Sequence, residues 1–137
     1  MSVTSSPRPI RVLVVDDEPN HRRCLALGLR LEGFIIVEAA DASGALAELA
    51  VASYDVAVID VMMPGVNGLE LARRVRADFP NVRILLTSAY HLTEHQIGRA
   101  NLGVAGFVPK PYRLDDLSQL LRSIVGSRPP AEDRPTA

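Results

Sequence analysis

Five side chains that could do chemistry stand in this sequence where short apolar segments end. They are three carboxylates, a hydroxyl and an ammonium group: Asp16, Asp17, Asp60, Thr87 and Lys110. Each apolar segment has the length of a buried strand. The carboxyl ends of parallel strands lie on one edge of an open sheet, where such sheets bind their ligands. The pattern therefore predicts one compact site that contains all five side chains.

The three carboxylates would repel one another at such an edge, by roughly 4 kcal/mol per pair at about 4 Å in an effective dielectric of about 20. Either protonation or a divalent cation would relieve that repulsion. A partly solvated set of oxygen donors suits Mg²⁺, with Mn²⁺ as an alternative. The sequence therefore predicts a metal site formed by Asp16, Asp17 and Asp60. The three histidines, His21, His91 and His95, form no ligand cluster with cysteine or acids. The i,i+4 spacing of His91 and His95 is interpreted as the solvated start of a helix, not as a zinc site.

A threonine hydroxyl, a lysine ammonium and a metal ion around one carboxylate would form a cradle for a tetrahedral oxyanion. Asp60 could attack phosphorus there and form an acyl phosphate, while Lys110 and Thr87 each bind one phosphoryl oxygen. The chain contains neither of the glycine-rich phosphate loops G-x-x-x-x-G-K-[ST] and G-x-G-x-x-G. Binding of a nucleotide cofactor is therefore not expected.

The elements that position these groups alternate between strand and helix along the chain. Strands are predicted at 11–15, 35–39, 56–60, 83–87 and 106–109. Helices are predicted from Pro19 to Leu31, after the N-cap residues Asp41 and Asn67, from Thr93 to about Leu102, and through Leu114, Leu117, Leu121 and Ile124. This alternation indicates an α/β fold with a doubly wound, five-stranded parallel sheet. The strand order 2-1-3-4-5 would place the first and third strands side by side, with their acids together.

The composition limits the function classes. At 137 residues the chain is predicted to be one domain over 10–126, with a disordered Ser/Pro-rich segment at 1–9 and a disordered Pro-rich tail at 127–137. The formal net charge of −1 gives no general attraction to nucleic acid or anionic membranes. No apolar run approaches the roughly 20 residues that cross a bilayer, so a cytoplasmic protein without membrane insertion is expected. The single cysteine, Cys24, is predicted to be a small buried residue of the first helix.

Taken together, the motifs resemble those of a response-regulator receiver domain of bacterial two-component signalling, over roughly 10–126. Four segments carry the resemblance: VVDDEP at 14–19, DVMMPGVNG at 60–68, LTSA at 86–89 and FVPKPY at 107–112. The resemblance implies the flavodoxin-like fold of CheY-like receivers. It also implies a phosphoprotein that takes its phosphoryl group from a histidine of a sensor kinase or of a histidine phosphotransfer protein.

The resemblance further implies a role for each matched acid. Asp60 resembles the phosphoacceptor. Asp17 and Asp60 resemble direct Mg²⁺ ligands, with the backbone carbonyl of Met62 as a third. Asp16 resembles the acid that holds a water molecule of the ion.

Outside the acids, the resemblance assigns a phosphate-binding lysine and a switch pair. Lys110 resembles the lysine that binds the phosphoryl group, and its peptide bond to Pro111 is expected to be cis. Thr87 and Phe107 resemble the switch pair: the hydroxyl moves toward the phosphoryl group and the aromatic ring turns inward. Phosphorylation is then expected to alter the face formed by the predicted helix at 93–102, the fifth strand and the last helix. A downstream protein would dock there, around Tyr90, His91, His95 and Tyr112.

Two positions near the acceptor lack polar side chains, namely Met62 and Ala89. Neither can orient an attacking water, so no dedicated assistance to hydrolysis is expected. Met62 also counts against an aspartyl phosphatase, which typically carries a second acid two residues after its nucleophile. The chain is therefore expected to catalyse only its own phosphorylation and autodephosphorylation, and not to be an enzyme otherwise.

Our principal interpretation is a stand-alone receiver that acts by docking on another protein, without direct contact to nucleic acid. A phosphorelay intermediate that passes the phosphoryl group to a histidine phosphotransfer protein would use the same residues. The chain could also be a receiver fragment of a longer protein. A receiver-like module that works without phosphate is disfavoured, because such modules usually lack some of the five site residues.

Overall fold

The computed structural model describes residues 8–63, 65, 67–89 and 103–126. The strands are β1 (Arg11–Val15), β2 (Ile35–Ala39), β3 (Val56–Asp60), β4 (Arg83–Ser88) and β5 (Gly106–Pro109). The helices within these ranges are α1 (Pro19–Leu31), α2 (Ala42–Val51), α3 (Gly68–Asp78) and α4 (Leu114–Gly126). The predicted helix at 93–102 lies outside the described residues, as do 1–7 and 127–137.

All five strands are parallel and lie in the order β2-β1-β3-β4-β5, which confirms the predicted fold and strand order. The observed strands match the predicted ones, except that β4 continues one residue further, to Ser88. β2 lies at an edge of the sheet and carries the charged residue Glu38. The carboxylate of Glu38 is paired there with Arg22 of α1 at 3.0 Å.

Side-chain alternation along β1 explains why helices cover both faces of the sheet. Leu13 and Val15 belong to the apolar layer under α2 and α3. Val12 and Val14 belong to the layer under α1 and α4. All residues of the central strand β3 are buried, so Asp60 is the last residue of a rigid element that is covered on both faces.

Local capping explains where the helices begin. Asp41 accepts a hydrogen bond from the backbone N–H of Gly44, and Asn67 accepts one from Glu70, as predicted for these two N-caps. The N-cap of α1 is Glu18, whose carboxylate accepts from the N–H of His21 at 2.8 Å. The cap of α1 comes three residues after β1, so the loop that carries Asp16 and Asp17 is short.

The end of α1 is closed by a glycine in the left-handed region. Gly33 has a φ of 98°, which a residue with a Cβ adopts only with strain. The N–H of Phe34 donates to the carbonyl of Leu29 at 3.1 Å, and the N–H of Gly33 donates to Arg30 at 3.0 Å. This pair of bonds is a Schellman motif, and it turns the chain directly into β2.

The structure corrects the prediction for Cys24. This residue is exposed on α1, because the buried positions of that helix are Leu25, Ala26 and Leu29. The buried face of α1 therefore begins at Leu25, one residue after Cys24, and the thiol points away from the sheet. Within the described residues, no helix is both long enough and apolar enough to span a membrane.

Candidate functional site

Strand register brings the predicted site residues to one edge of the sheet. Val15 of β1 is the register partner of Ile59 of β3, so the residues that follow them, Asp16 and Asp60, emerge side by side. Asp60 is itself the register partner of Thr87 on β4. The order of the strands thus places two acids and a hydroxyl on three neighbouring strands.

The three carboxylates form one cluster. Asp16, Asp17 and Asp60 each offer a carboxylate oxygen, and these oxygens all lie within 4.8 Å of one another. Asp16 and Asp60 are buried, whereas Asp17 is exposed. Clustered oxygen donors with one side open to solvent fit a hard divalent cation that keeps part of its hydration shell. The donor set therefore suits Mg²⁺, and it contains no nitrogen or sulfur ligand.

Lys110 supplies a positive charge to this cluster. Its Nζ donates to Oδ2 of Asp60 at 2.9 Å and lies 3.5 Å from Oδ2 of Asp16. The residue follows β5, and its backbone N–H donates to the carbonyl of Ser88 at 2.8 Å, which fixes the start of its side chain beside β4. The peptide bond to Pro111 is cis, as the resemblance implied.

The loop after β3 holds Asp60 by backbone contacts. The N–H of Met62 donates to Oδ1 of Asp60 at 3.0 Å, and the N–H of Val61 donates to the carbonyl of Thr87 at 2.8 Å. The side chain of Met62 is 51% exposed. Gly68 opens α3 against this loop, and a Cβ there would collide with the backbone of Asp60 and Val61. A glycine is therefore required for α3 to begin this close to the acid.

The predicted switch residues occupy two adjacent strands. Thr87 is 3% exposed, next to Asp60 in register. Phe107 is the register partner of Leu86 and lies partly buried against the apolar layer under α2 and α3. The other predicted docking residues, Tyr90, His91 and His95, lie outside the described residues.

One residue at the site was missed by the sequence analysis. Nδ1 of His21 lies 2.5 Å from Oδ2 of Asp16, while the N–H of Glu18 donates to the other oxygen at 2.9 Å. A carboxylate only accepts hydrogen bonds, so Nδ1 is the donor. The sequence signal was the position of His21 in the first turn of α1, five residues after Asp16. The sequence pattern is interpreted above only for histidines as metal ligands, and a histidine at this position can also donate to an acid.

Tyr112 also lies at the site, and its position differs from the predicted one. The sequence placed it on an exposed docking face, but its hydroxyl is buried and has no hydrogen-bond partner among the described residues. Burial, together with the negative charges of Asp16 and Asp60, raises the pKa of Tyr112 to about 12. Its ring meets the ring of His21 edge-on, with centroids 6.2 Å apart. Tyr112 therefore forms a side wall of the acidic site.

The chain is similar in sequence to known proteins. A family model described as the response regulator receiver domain matches residues 12–122. The chain is 35% identical over 118 residues to the Mycobacterium tuberculosis protein named "Probable transcriptional regulatory protein TcrX", covering 86% of this chain and 50% of that protein. It is 32% identical over 124 residues to the response regulator MprA of Mycobacterium sp. (strain KMS), covering 90% of this chain and 54% of MprA. The chain thus spans about half the length of these curated relatives.

A solved structure gives the same result for the fold. The response regulator protein TrrA from Thermotoga maritima, solved in complex with Mg(2+)-BeF, superposes with a TM-score of 0.75 at 32% identity. The match covers 84% of this chain and 98% of that one. Because the family model spans most of the chain and the fold agrees, this protein belongs to the receiver domain family of two-component response regulators.

Proposed function

We propose that Asp60 accepts a phosphoryl group from a histidine of a partner protein in an Mg²⁺-dependent reaction. The observation that carries this proposal is the position of Asp60, within the carboxylate cluster and 2.9 Å from the ammonium of Lys110. Phosphoryl transfer depends mainly on positioning and on positive charge near the transferred group. The ammonium of Lys110 and a metal ion held by the carboxylates would supply that charge beside Asp60. The Mg(2+)-BeF complex of TrrA supports the same assignment by similarity.

In this reaction a carboxylate oxygen of Asp60 attacks phosphorus, and an O–P bond forms as the N–P bond of the phosphohistidine breaks. The imidazole leaves with the electron pair of that bond and takes up a proton from water. The acids Asp16, Asp17 and Asp60, with the carbonyl of Met62, would hold Mg²⁺, which supplies positive charge to the phosphoryl oxygens. Lys110 and the N–H of Met62 already donate to Asp60, and both would face the transferred group.

The protein would act only on its own acyl phosphate, through self-catalysed transfer and hydrolysis. Met62 follows Asp60 by two residues and offers no proton, so the site lacks the general acid of an aspartyl phosphatase. An ester substrate would therefore have no donor for its leaving group at that position.

Phosphorylation would be transmitted through Thr87 and Phe107. Thr87 lies beside Asp60 on β4, and a phosphoryl oxygen would offer its hydroxyl a charge-assisted hydrogen bond. The register partner of Phe107 is Leu86, the residue directly before Thr87, so a shift of β4 would change the space available to the aromatic ring. Two packings of this region would then present different faces to a downstream protein.

The partners follow from the chemistry. The donor would be a sensor histidine kinase or a histidine phosphotransfer protein, in the cytoplasm, and the output would be a protein target. The net charge of −1 gives no reason to expect direct contact with nucleic acid. A relay role differs only in the fate of the phosphoryl group, and transfer from phosphorylated protein to a histidine phosphotransfer protein would demonstrate it.

Acyl-phosphate formation with a small phosphodonor such as acetyl phosphate tests the proposal, with intact mass as the readout. We expect the gain of one phosphoryl group in the presence of Mg²⁺, and none after Mg²⁺ is chelated or in Asp60→Asn. Asp41→Asn is the matched control, because it makes the same carboxylate-to-amide change at a helix cap outside the cluster. Uptake by Asp60→Asn, or none by folded wild type with Mg²⁺, would contradict the proposal.

A further inference from the structure

The contact between His21 and Asp16 has no role in the chemistry described above. Nδ1 of His21 donates to Oδ2 of Asp16 at 2.5 Å, and the imidazole is 38% exposed. His21 sits in the first turn of α1, where Glu18 caps the helix by accepting from its backbone N–H. The backbone and the side chain of His21 are therefore both engaged at the rim of the acidic cluster.

Both oxygens of Asp16 have a donor on the residues that follow it. Oδ1 accepts from the N–H of Glu18 at 2.9 Å, and Oδ2 accepts from His21. The backbone carbonyl of Asp16 in turn accepts from Arg22 at 2.9 Å. Glu18, His21 and Arg22 thus determine the orientation of an acid that belongs to the metal-compatible cluster.

Tyr112 restrains His21 from the other side. The two rings meet at an interplanar angle of 73°, with centroids 6.2 Å apart, a T-shaped contact between aromatic rings. Tyr112 is anchored because it follows the Lys110–Pro111 turn and packs against the apolar layer under α1 and α4. The imidazole is therefore held in place by a residue from the opposite end of the chain.

We propose that His21 is a positioning residue of the metal site, which tightens divalent-cation binding by fixing the carboxylate of Asp16. The inference rests on the proposed function, since it deepens the role of the same site. A donor that holds a metal-site carboxylate in one rotamer removes the need to order it when the ion binds. Loss of such outer contacts typically weakens metal affinity by about 10- to 100-fold.

Titration with MgCl₂ alone tests this inference without any phosphoryl transfer. Lys110 is the only lysine of the chain and lies 2.9 Å from Asp60, so lysine labelled with ¹³C at Cε gives one resonance that reports on the cluster. The dissociation constant for Mg²⁺ would be measured from this resonance in wild type and three variants. These variants are His21→Leu, His21→Asn and Leu27→Ala.

The substitutions are matched in shape and in position. Leucine removes the donor, whereas the side-chain nitrogen of asparagine occupies the position along the side chain that Nδ1 occupies in histidine. Leu27→Ala changes an exposed residue of the same helix, away from Asp16. We expect His21→Leu to weaken Mg²⁺ binding about tenfold, with His21→Asn within about threefold of wild type and Leu27→Ala unchanged. Thermal unfolding of each variant, with His21→Ala as a substitute if leucine prevents folding, shows that the folded protein is being titrated.

Unchanged or tighter binding by His21→Leu would overturn the inference, and so would equal weakening in all three variants. The two proposals also fail separately. If wild type takes up a phosphoryl group but His21→Leu binds Mg²⁺ normally, the positioning role is wrong and the phosphoacceptor function stands. If Mg²⁺ binding depends on His21 but no phosphoryl group is taken up, the phosphoacceptor function is wrong.

Discussion

Asp60 and Thr87 are direct register partners at the carboxyl ends of two neighbouring parallel strands, β3 and β4. Both are buried, and the loop after Asp60 is bonded back to Thr87 through the N–H of Val61 at 2.8 Å. A change at the acid can therefore reach β4 without crossing any other element. We therefore expect the hydroxyl of Thr87 to be the first group that responds to a phosphoryl group on Asp60.

Removal of that hydroxyl should separate phosphorylation from its structural consequence. We expect Thr87→Val, which keeps the shape of the side chain, to take up a phosphoryl group without the change in the amide resonance of Phe107 that wild type shows. Thr87→Ser retains the donor and should preserve the change. Backbone amide spectra before and after acetyl phosphate make the comparison. A wild-type response in Thr87→Val would mean that another group couples Asp60 to Phe107.

Lys110 should have opposite effects on metal binding and on phosphoryl transfer. Its ammonium lies 2.9 Å from Asp60 and 3.5 Å from Asp16, and competes with a cation for their charge. Such a contact contributes between about 1 and 4 kcal/mol, so Lys110→Met should tighten Mg²⁺ binding by about fivefold or more. Phosphoryl uptake should slow by about 100-fold, because a cation aimed at the transferred group is lost.

Calorimetric titration with Mg²⁺ and the rate of phosphoryl uptake at saturating Mg²⁺ check the two halves of the Lys110 prediction. Arg113→Met is the control, since it removes an exposed cation from the same loop without a contact to the cluster. Weaker Mg²⁺ binding by Lys110→Met would show that the lysine organises the acids and does not compete for them.

The lifetime of the acyl phosphate should respond to polar side chains at two exposed positions. Met62 and Ala89 are both exposed and flank the region around Asp60 and Thr87. Met62→Asn and Ala89→Glu would each offer a group that orients water, and we expect lifetimes shortened by about tenfold. Decay of the phosphorylated mass after removal of the phosphodonor measures this. If the acyl phosphate of both variants decays at the wild-type rate, residues 62 and 89 do not control its hydrolysis.

Gly68 should be intolerant of even a single methyl group. A Cβ there would overlap the backbone that carries Asp60 and Val61, so α3 or the loop must move. We expect Gly68→Ala to lower the free energy of unfolding by about 1–3 kcal/mol, a typical cost of overpacking, and to slow phosphoryl uptake. Urea unfolding gives the stability. Gly126→Ala, where a Cβ meets no atom within 4 Å, should lower neither the stability nor the rate of phosphoryl uptake.

Tyr112 should make the protein less stable in alkali. Its pKa is raised from 10.0 to about 12, mainly by burial, so the folded state holds the phenolic proton more tightly than the unfolded state does. The resulting stabilisation is complete below pH 10 and is lost as the pH rises through about 12. Urea unfolding of wild type and Tyr112→Phe across this window isolates the effect, because the variant lacks the ionisation. An identical loss of stability in both would assign the alkaline transition to other groups.

Local sequence patterns predicted most of the secondary structure of this protein. Apolar runs of strand length, the caps at Asp41 and Asn67, and the glycine after α1 predicted element types and boundaries to within a residue in the described ranges. These features act over a few residues, through backbone hydrogen bonds and side-chain periodicity, so the chain encodes them directly. Alternation of strands and helices then limited the topology to a parallel sheet whose acids share one edge.

The contacts of His21, Tyr112 and Cys24 could only be decided by tertiary packing. Which face of α1 meets the sheet determines that Cys24 is exposed and that the imidazole reaches Asp16. The turn after β5 determines that the hydroxyl of Tyr112 faces inward, toward the charges of Asp16 and Asp60. Periodicity predicts that a helix has a buried face, but not its rotation to within one residue. The sequence by itself therefore determined which groups lie at the edge of the sheet. Packing of α1 and of the turn after β5 decided which side chains hold those groups in place, because the ring contact of His21 with Tyr112 joins residues that are far apart in the sequence.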